Sequence, residues 1–159
     1  MFEPNLEILP PAQRALWEEL ATTPNHFVLY GGTALALRLG HRSSVDFDFF
    51  SSHPFSPADL QERIPYLQEE QRIQSEPNTL TCLVQRRGEP IKISFFGGLD
   101  LARVDRPQRT MNNGIWVASL LDLAATKLKV IQDRAEAKDY LDLSRLLDVN
   151  ISLSDMIRA

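Results

Sequence analysis

The residues best suited to chemistry in this sequence lie between Phe27 and Ser51. Within that stretch the glycine pair Gly31-Gly32 ends an apolar run and precedes a segment rich in Ala and Leu. Because glycine has no Cβ, a phosphate group can approach the backbone there, and the helix that follows would direct free N–H groups and its positive dipole end toward it. The stretch therefore predicts a phosphate-binding turn between a strand and a helix.

Two carboxylates follow the glycine pair in an alternating segment that is typical of a strand. Asp46 and Asp48 are two positions apart, so we expect both on one face of a sheet, with Val45, Phe47 and Phe49 pointing into the core. Carboxylate oxygens are the ligands that Mg²⁺ prefers, and Mn²⁺ accepts them too. Two such ions could activate an attacking hydroxyl and stabilise a leaving pyrophosphate.

Basic residues are concentrated in one part of the chain. The net charge is −4, yet residues 80–138 hold 10 Lys/Arg against 6 Asp/Glu, while residues 1–79 hold 5 against 11. A basic segment can meet the phosphate of a nucleotide or of a nucleic-acid backbone. A solvated surface with ordinary charge scatter explains the counts at least as well. The basic residues of the segment are Arg86, Arg87, Lys92, Arg103, Arg106, Arg109, Lys127, Lys129, Arg134 and Lys138.

The remaining sequence predicts an α+β scaffold for these residues. Apolar or alternating runs predict strands over residues 26–30, 45–50, 79–85 and 91–96, with a hairpin joining the last two. Helical patterns cover residues 11–21, 33–39, 119–131 and 133–147, and a further helix begins near Ser56. Ser119 and Asp133 are the expected capping residues of the last two helices in that series.

Composition limits the class of protein. The 159 residues are 43% hydrophobic and 24% charged, which excludes a disordered chain, a collagen-like chain and a disulfide scaffold. Cys82 is the single cysteine, so we expect a cytoplasmic protein without an internal disulfide. No basic flank and apolar core follow Met1, and charged or glycine residues interrupt every apolar run. We therefore expect neither a signal peptide nor a membrane span.

Four segments in order resemble the DNA polymerase β-type nucleotidyltransferase superfamily, and within it the AbiEii/AbiGii toxin-like nucleotidyltransferases. A glycine pair or an Asp-x-Asp motif alone is a weak signal, whereas four pieces in order over about residues 27–147 are specific. The matching segments are residues 31–38, 42–50, 123–128 and 138–143.

The resemblance implies a Mg²⁺- or Mn²⁺-dependent enzyme that moves a nucleoside monophosphate from an NTP to an acceptor, with RNA such as tRNA as the acceptor. It also implies a cognate antitoxin protein, as in toxin–antitoxin or phage-defence systems. The implied metal ligands are Asp46 and Asp48, and the implied catalytic residues are Asp48, Lys127 and Asp139. The implied nucleotide-binding residues are Gly31, Gly32, Thr33, Arg42 and Lys138.

The helical segments also make physical sense without the resemblance. On one continuous helix Lys127, Arg134 and Lys138 would share a face, and with a break near Asp133 the two parts could still converge over the glycine turn. The alternative is a pair of helices with exposed charge pairs, of which Lys138 with Asp142 is an example. We place Asp142 outside the immediate site.

Lys127 would neutralise phosphate charge during transfer. Asp139 would hold that lysine or position an incoming hydroxyl. We therefore expect Lys127→Ala and Asp139→Ala to abolish transfer and to leave the fold intact.

The sequence departs from the superfamily at a third carboxylate. That residue normally lies on a neighbouring strand, and the matching position here is Ser94. Serine neither holds a metal as a carboxylate does nor acts as a base near neutral pH. Three explanations are open: Asp100 or Glu89 substitutes from a loop, two carboxylates suffice together with Lys127, or the site is impaired.

We predict an α+β fold, with a small mixed nucleotidyltransferase-like sheet flanked by helices over residues 1–118 and a helical C-terminal part over residues 119–159 packed on it. The predicted function is nucleotidyl transfer. The alternative is a catalytically impaired protein of the same fold that binds a nucleotide or a protein partner. Among the remaining side chains, Phe50, Trp17 and Trp116 are expected in packing roles, and His41 either touches a phosphate or lies in a solvated loop.

Overall fold

A seven-stranded mixed sheet organises the computed structural model, which describes residues 1–159. The strands are β1 (Val28–Tyr30), β2 (Phe47–Phe50), β3 (Gln71–Glu76), β4 (Thr79–Arg86), β5 (Glu89–Phe96), β6 (Gln108–Arg109) and β7 (Trp116–Val117). Their spatial order is β3-β4-β5-β2-β1-β7-β6. The pairs β2–β5 and β1–β7 are parallel and the other pairs are antiparallel. The predicted α+β class and mixed sheet are confirmed.

Six α-helices accompany the sheet, and none is long and apolar enough to cross a membrane. Their bounds are α1 (Pro11–Trp17), α2 (Gly31–Leu39), α3 (Pro57–Arg63), α4 (Leu120–Asp133), α5 (Ala137–Asp148) and α6 (Leu153–Arg158). Ser119 caps α4 as expected, since its Oγ accepts a hydrogen bond from the Asp122 backbone N–H. Helix α5 begins later than expected, because Glu136 and Asp139 form its capping box and Asp133 still belongs to α4.

The core lies against one face of the central strands. Phe47 and Phe49 of β2 are fully buried there, and the Phe49 ring stacks on Phe95 of β5 with 5.3 Å between ring centroids. Trp17 of α1 lies 6.5 Å from Phe47 on the same face. Val45, which the alternation places in the core, is instead 47% exposed, because the strand begins only at Phe47 and the alternation does not extend back to it.

The opposite face of the sheet carries a row of polar side chains. Tyr30 pairs with Asp48, Asp48 with Ser94, Ser94 with Thr81, and Thr81 with Gln74, so the row crosses five adjacent strands. Residues paired across neighbouring strands point to the same side of a sheet. This row is the surface on which a polar site can be built, and the core on the other face holds it in place.

Several elements escaped the sequence analysis because they lack a buried face. Every residue of β3 is exposed, and an edge strand that is solvated in this way shows no apolar alternation. Helix α6 has six residues with one buried side chain, Met156. Strands β6 and β7 contain two residues each, which is too short for a periodic signal.

The C-terminal helices contact the sheet-bound part of the chain through α4. That helix contacts α2, α5 and α6, and α5 also contacts α2. Helix α2 starts at the glycine pair, so this packing brings residues near position 130 close to residues near position 30. The division of the chain at residue 118 stays a prediction.

Candidate active site

One cavity of about 660 Å³ gathers every residue that the sequence predicts for the site. Its walls come from the glycine turn, the segment before β2, the polar row of the sheet and the facing parts of α4 and α5. The predicted residues among its lining are Gly31, Gly32, Thr33, Arg42, Asp46, Asp48, Lys127, Lys138 and Asp139. Their roles stay predictions, but their positions make a shared role geometrically possible.

The glycine turn packs directly against the charged groups of the cavity. Gly31 has a φ of +80°, and a Cβ built there would lie 3.1 Å from Asp48 Oδ2. A Cβ on Gly32 would lie 2.5 Å from Arg42 Nη2. Both glycines therefore leave space that any other residue would fill. Helix α2 begins in this turn, and the first N–H groups of a helix have no partner within it.

Thr33 lines the cavity, but its hydroxyl serves the backbone that carries the first aspartate. The Oγ1 atom lies 2.7 Å from Ser44 Oγ and donates a hydrogen bond to the carbonyl oxygen of Asp46. Only 3% of Thr33 is exposed. These bonds fix the backbone of the segment that leads into β2. They therefore help to determine the position of the Asp46 side chain.

The electrostatics of Asp48 favour a cation beside it. Burial raises the pKa of Asp48, the charge of Asp46 raises it further, and the nearby cations Lys92, Lys138 and Arg134 lower it. No hydrogen bond is among the influences on this carboxylate. A half-buried carboxylate beside a second carboxylate, at the edge of a cavity, matches the oxygen donors that Mg²⁺ or Mn²⁺ takes. The two aspartates thus fit a divalent ion.

The position of the missing third carboxylate is now defined. Ser94 pairs with Asp48 across β2 and β5, as the sequence match requires, and its hydroxyl lies 3.0 Å from Thr81 Oγ1. Neither proposed substitute lines the cavity. Glu89 starts β5, which puts it about 16 Å along the strand from Ser94, and Asp100 lines a neighbouring cavity. No group of three or more His, Cys, Asp or Glu is arranged to hold a metal. Substitution from a loop thus has no support from the cavity lining, and the three explanations stay predictions.

Lys127 is held in a buried ionic network. Its Nζ lies 3.0 Å from Asp139 Oδ1 and 2.9 Å from Asp142 Oδ2, and the residue is only 7% exposed. Asp142 also accepts hydrogen bonds from Arg42 Nε at 2.7 Å and Nη2 at 2.9 Å, and His41 Nε2 lies 2.6 Å from it. Asp142 is fully buried, so it forms the centre of the network.

This network corrects three sequence expectations. His41 is not a solvated loop residue, because 7% of its side chain is exposed and it binds Asp142, and it is not among the residues that line the cavity. Lys138 does not pair with Asp142; its ammonium lies 3.4 Å from Glu136, while Asp142 is occupied by buried cations. Lys127→Ala cannot be expected to leave the fold intact, since it would strip a cation from buried carboxylates.

The network also sets the protonation of its acids. Burial by itself would raise the pKa of Asp142, but hydrogen bonds from Arg42, His41 and Lys127 outweigh it and lower that pKa to about 2. The pKa of Asp139 is lowered in the same way, since burial is outweighed by bonds from Lys127 and the Glu136 backbone. Both carboxylates are therefore charged near neutral pH, and Lys127 stays paired.

Three exposed cations remain available inside the cavity. Lys92 is exposed, and the side chains of Arg134 and Lys138 are 73% and 52% exposed. The last two lie 3.6 Å and 3.4 Å from Glu136, and exposed pairs of this kind contribute little stability. Lys92 was singled out only as part of the basic segment. Lys92 lies two residues before Ser94 on β5, and this spacing predicts that the two side chains lie on the same face of the sheet.

An aromatic wall borders the cavity on the polar face of the sheet. The Phe50 ring lies 5.2 Å from Tyr30 and 5.0 Å from Phe96, measured between centroids, and all three residues line the cavity. The sequence analysis assigned Phe50 to packing along with its neighbours. Phe50 does pack against the core, and strand alternation places it on the face opposite Phe49, in a half-exposed position.

Comparisons with known proteins point to one family. A family model described as the nucleotidyl transferase AbiEii toxin of type IV toxin–antitoxin systems matches residues 14–159. An uncharacterized protein of Aquifex aeolicus (strain VF5), aq_aa25, is 36% identical over 121 residues, which cover 75% of this chain and 56% of that protein. The chain thus spans about half the length of this relative.

Two solved structures from Helicobacter pylori are similar in fold. Each has a TM-score of 0.67 and 22% identity over 87% of this chain. One is described as a candidate nucleotidyltransferase and is covered to 66% of its length, and the other is JHP933, covered to 64%. At this level of identity the likeness establishes the fold.

Proposed function

The chain belongs to the AbiEii family of nucleotidyl transferase toxins, and from that membership we propose a Mg²⁺-dependent enzyme that moves a nucleoside monophosphate from an NTP to an RNA acceptor. The observation that carries the proposal is the single cavity in which the glycine turn, two carboxylates and residues of α4 and α5 meet. The family also supports a cognate antitoxin as a protein partner, and the proposed location is the cytoplasm.

Asp46 and Asp48 are the residues that would hold the metal ion. When bound, a divalent ion polarises phosphoryl oxygens and lowers the pKa of an attacking hydroxyl. The raised pKa of Asp48, caused by burial and by the charge of Asp46, supports this assignment, because a cation relieves both effects. Mn²⁺ prefers the same oxygen ligands and is proposed as a substitute.

The triphosphate would lie over the glycine turn. The N-terminus of α2 offers backbone N–H groups and a positive dipole end, and Gly31 and Gly32 leave the backbone accessible. Lys92, Arg134 and Lys138 add positive charge on the open side of the cavity. Arg42 contributes less directly, because its guanidinium is already committed to Asp142.

Lys127 and Asp139 would act together. An ammonium group has three N–H donors, and two carboxylates lie within 3.0 Å of Lys127 Nζ, which leaves one donor for a phosphate oxygen of the bound nucleotide. A fixed donor of this kind stabilises negative charge more in the transition state than in the ground state. Asp139 is a positioning residue in this proposal, since its carboxylate binds the lysine.

The direct test is incubation of the protein with each labelled NTP, Mg²⁺ and total cellular RNA. We expect label on RNA with wild-type protein, and a loss of about 10²-fold or more with Asp48→Asn, which keeps the side-chain shape but removes the charge. Asp59→Asn on α3 is the matched control, because Asp59 is exposed and lies outside the cavity. Full transfer by Asp48→Asn would refute the metal assignment.

A second function is favoured by one observation, the serine at position 94 opposite Asp48. In that case the protein binds nucleotide without transferring it. Calorimetry separates the two functions: NTP binding that depends on Mg²⁺ and on Asp48, together with no label on RNA, supports the impaired relative. Label on RNA excludes it.

A further inference from the structure

A second cavity, of about 550 Å³, is lined by basic and aromatic side chains and by no carboxylate. The net charge of the chain is −4, so this concentration of positive charge is not an average property of its surface. The charged and aromatic residues of this cavity, which we call the arginine cavity, are Arg103, Arg106, Arg109, His26, His53 and Trp116.

The three arginines of this cavity have no acidic partner. Arg86 of the same basic segment lies 2.7 Å from Glu19 and 3.1 Å from Glu70, whereas Arg103, Arg106 and Arg109 form no ion pair. Arg109 lies over the Trp116 ring, 4.8 Å from its centroid, and its Nη2 donates a hydrogen bond to Asn25 Oδ1 at 3.5 Å. The guanidinium groups of Arg103 and Arg106 donate to no protein side chain, so three clustered guanidinium groups without carboxylates can bind an anion.

Two histidines also line the arginine cavity. The rings of His26 and His53 are 4.6 Å apart, measured between centroids. The pKa of His26 lies below its ordinary value because of burial first, and then because of the charges of His53 and Arg63. The lowered pKa favours the neutral imidazole of His26, which still has one N–H to donate, so the positive charge of the cavity comes from its three arginines.

The arginine cavity lies on the same face of the sheet as the candidate active site. Val28 pairs with both Trp116 and Phe50, so these three side chains share a face with Asp48. Phe50 lines the first cavity, and Ser52 lines the second. Asp48 and Ser52 are four positions apart, a distance of at most about 14 Å along the chain. One ligand strand is long enough to occupy both cavities.

We propose that the arginine cavity binds the phosphodiester backbone of the acceptor RNA and directs its reacting end toward Asp48. The inference rests on the proposed transfer to RNA. Guanidinium groups bind phosphate in a bidentate manner and imidazoles add N–H donors. A base can stack on the Arg109 guanidinium that lies over the half-exposed Trp116 ring. A nucleic-acid strand carries a phosphate at every nucleotide, so one strand can bind several clustered guanidinium groups at once.

The test measures binding of a short fluorescent single-stranded RNA by anisotropy at several salt concentrations. We compare wild-type protein with Arg103→Gln/Arg106→Gln, because both side chains are exposed and without ion pairs, so the fold should not depend on them. Each lost phosphate contact lowers the slope of log K against log salt by about 0.7. We expect a slope lower by about 1.4, and unchanged affinity for Mg²⁺–NTP.

The matched control is Arg14→Gln/Arg87→Gln, which changes charge equally at exposed positions outside both cavities. Equal loss of RNA binding in both double variants would overturn the site in favour of non-specific attraction. Unchanged RNA binding, or no binding by the wild type, would overturn it as well. A parallel loss of NTP affinity would assign the cavity to free nucleotide, and displacement of RNA by an acidic peptide but not by unlabelled RNA would assign it to a protein.

Transfer assays separate this inference from the proposed function. If wild-type protein binds RNA through Arg103 and Arg106 but transfers no label, the RNA site stands and the proposed reaction fails. If the double variant transfers label with an unchanged KM for RNA, the reaction stands and the RNA site fails. The expected result is a raised KM for RNA with little change in kcat.

Discussion

Replacing Asp142 by Asn removes one negative charge from the centre of a network that holds Arg42, His41 and Lys127. The carboxylate is fully buried and accepts from each of these groups within 2.9 Å. Asn has nearly the same shape, so the substitution tests charge and hydrogen bonding without opening a cavity. We expect Asp142→Asn to lower the free energy of unfolding by about 3–5 kcal/mol.

The size of this loss of stability follows from the groups that the Asn amide would contact. One oxygen of Asp142 meets His41 and Arg42, and the other meets Arg42 and Lys127. An Asn side chain keeps one acceptor and turns an NH₂ group toward cationic donors, which leaves at least one buried cation without its partner. Breaking a buried pair by removing one member costs about 3–5 kcal/mol. For a protein of this size that corresponds to a fall in Tm of about 10 °C.

The pH dependence of stability gives the same test a second readout. The pKa of Asp142 is about 2 in the folded protein, against an ordinary value of 3.8 for an aspartate. A carboxyl whose folded pKa is depressed contributes stability above its unfolded pKa and loses it as the pH falls through the folded value. This contribution, about 2 kcal/mol, should disappear between about pH 5 and pH 2 in the wild type. Asp142→Asn should lack that part of the acid sensitivity.

Urea unfolding followed by circular dichroism, at neutral pH and at about pH 2, measures both effects. Asp148→Asn is the matched control, because Asp148 lies on the same helix and is exposed without an ion pair. We expect it to change stability by less than about 0.5 kcal/mol. A loss at Asp142 no larger than at Asp148, or an identical acid profile, would refute the network as the source of stability.

Three further predictions concern the glycine turn, the serine opposite the aspartate and the buried thiol. Ser94→Asp places a third carboxylate opposite Asp48. We therefore expect a Tm below that of the wild type in chelator and a larger rise of Tm when Mg²⁺ is added. A Tm above that of the wild type in chelator would contradict this. Gly32→Ala puts a Cβ 2.5 Å from Arg42 Nη2, and urea unfolding should show a loss of about 1–3 kcal/mol. Cys82 is fully buried and burial raises its pKa to about 11, so a thiol reagent should react only after unfolding in urea.

Local patterns predicted the parts of the site that lie close together in the chain. Strand alternation predicted that Asp46 and Asp48 point away from Phe47, and a glycine with positive φ begins the helix that follows β1. Ser94, which the family resemblance matches to the third carboxylate position, pairs with Asp48 across β2 and β5. These features depend on backbone geometry over a few residues, which the order of residue types determines.

Alternation failed where the strand itself was shorter than its pattern. Val45 follows the period of β2 but precedes the strand, so it lies in solvent. Phe50 packs against the core as predicted, but it lies on the cavity face of the sheet and stays half-exposed. Which face of a sheet is buried depends on the elements that pack on it. The sequence of a single strand does not specify those elements.

The sequence by itself determined the fold class, the family resemblance and the residues of the candidate active site. Only the tertiary structure decided that Asp142 is buried and central, because its partners Arg42 and His41 lie about a hundred residues away. It also decided where the basic residues lie: Lys127 is in a buried network, Arg86 forms surface ion pairs and Arg103 lines the arginine cavity. The physical reason is that a charge takes its role from its burial and its partners, and both arise from packing between distant segments.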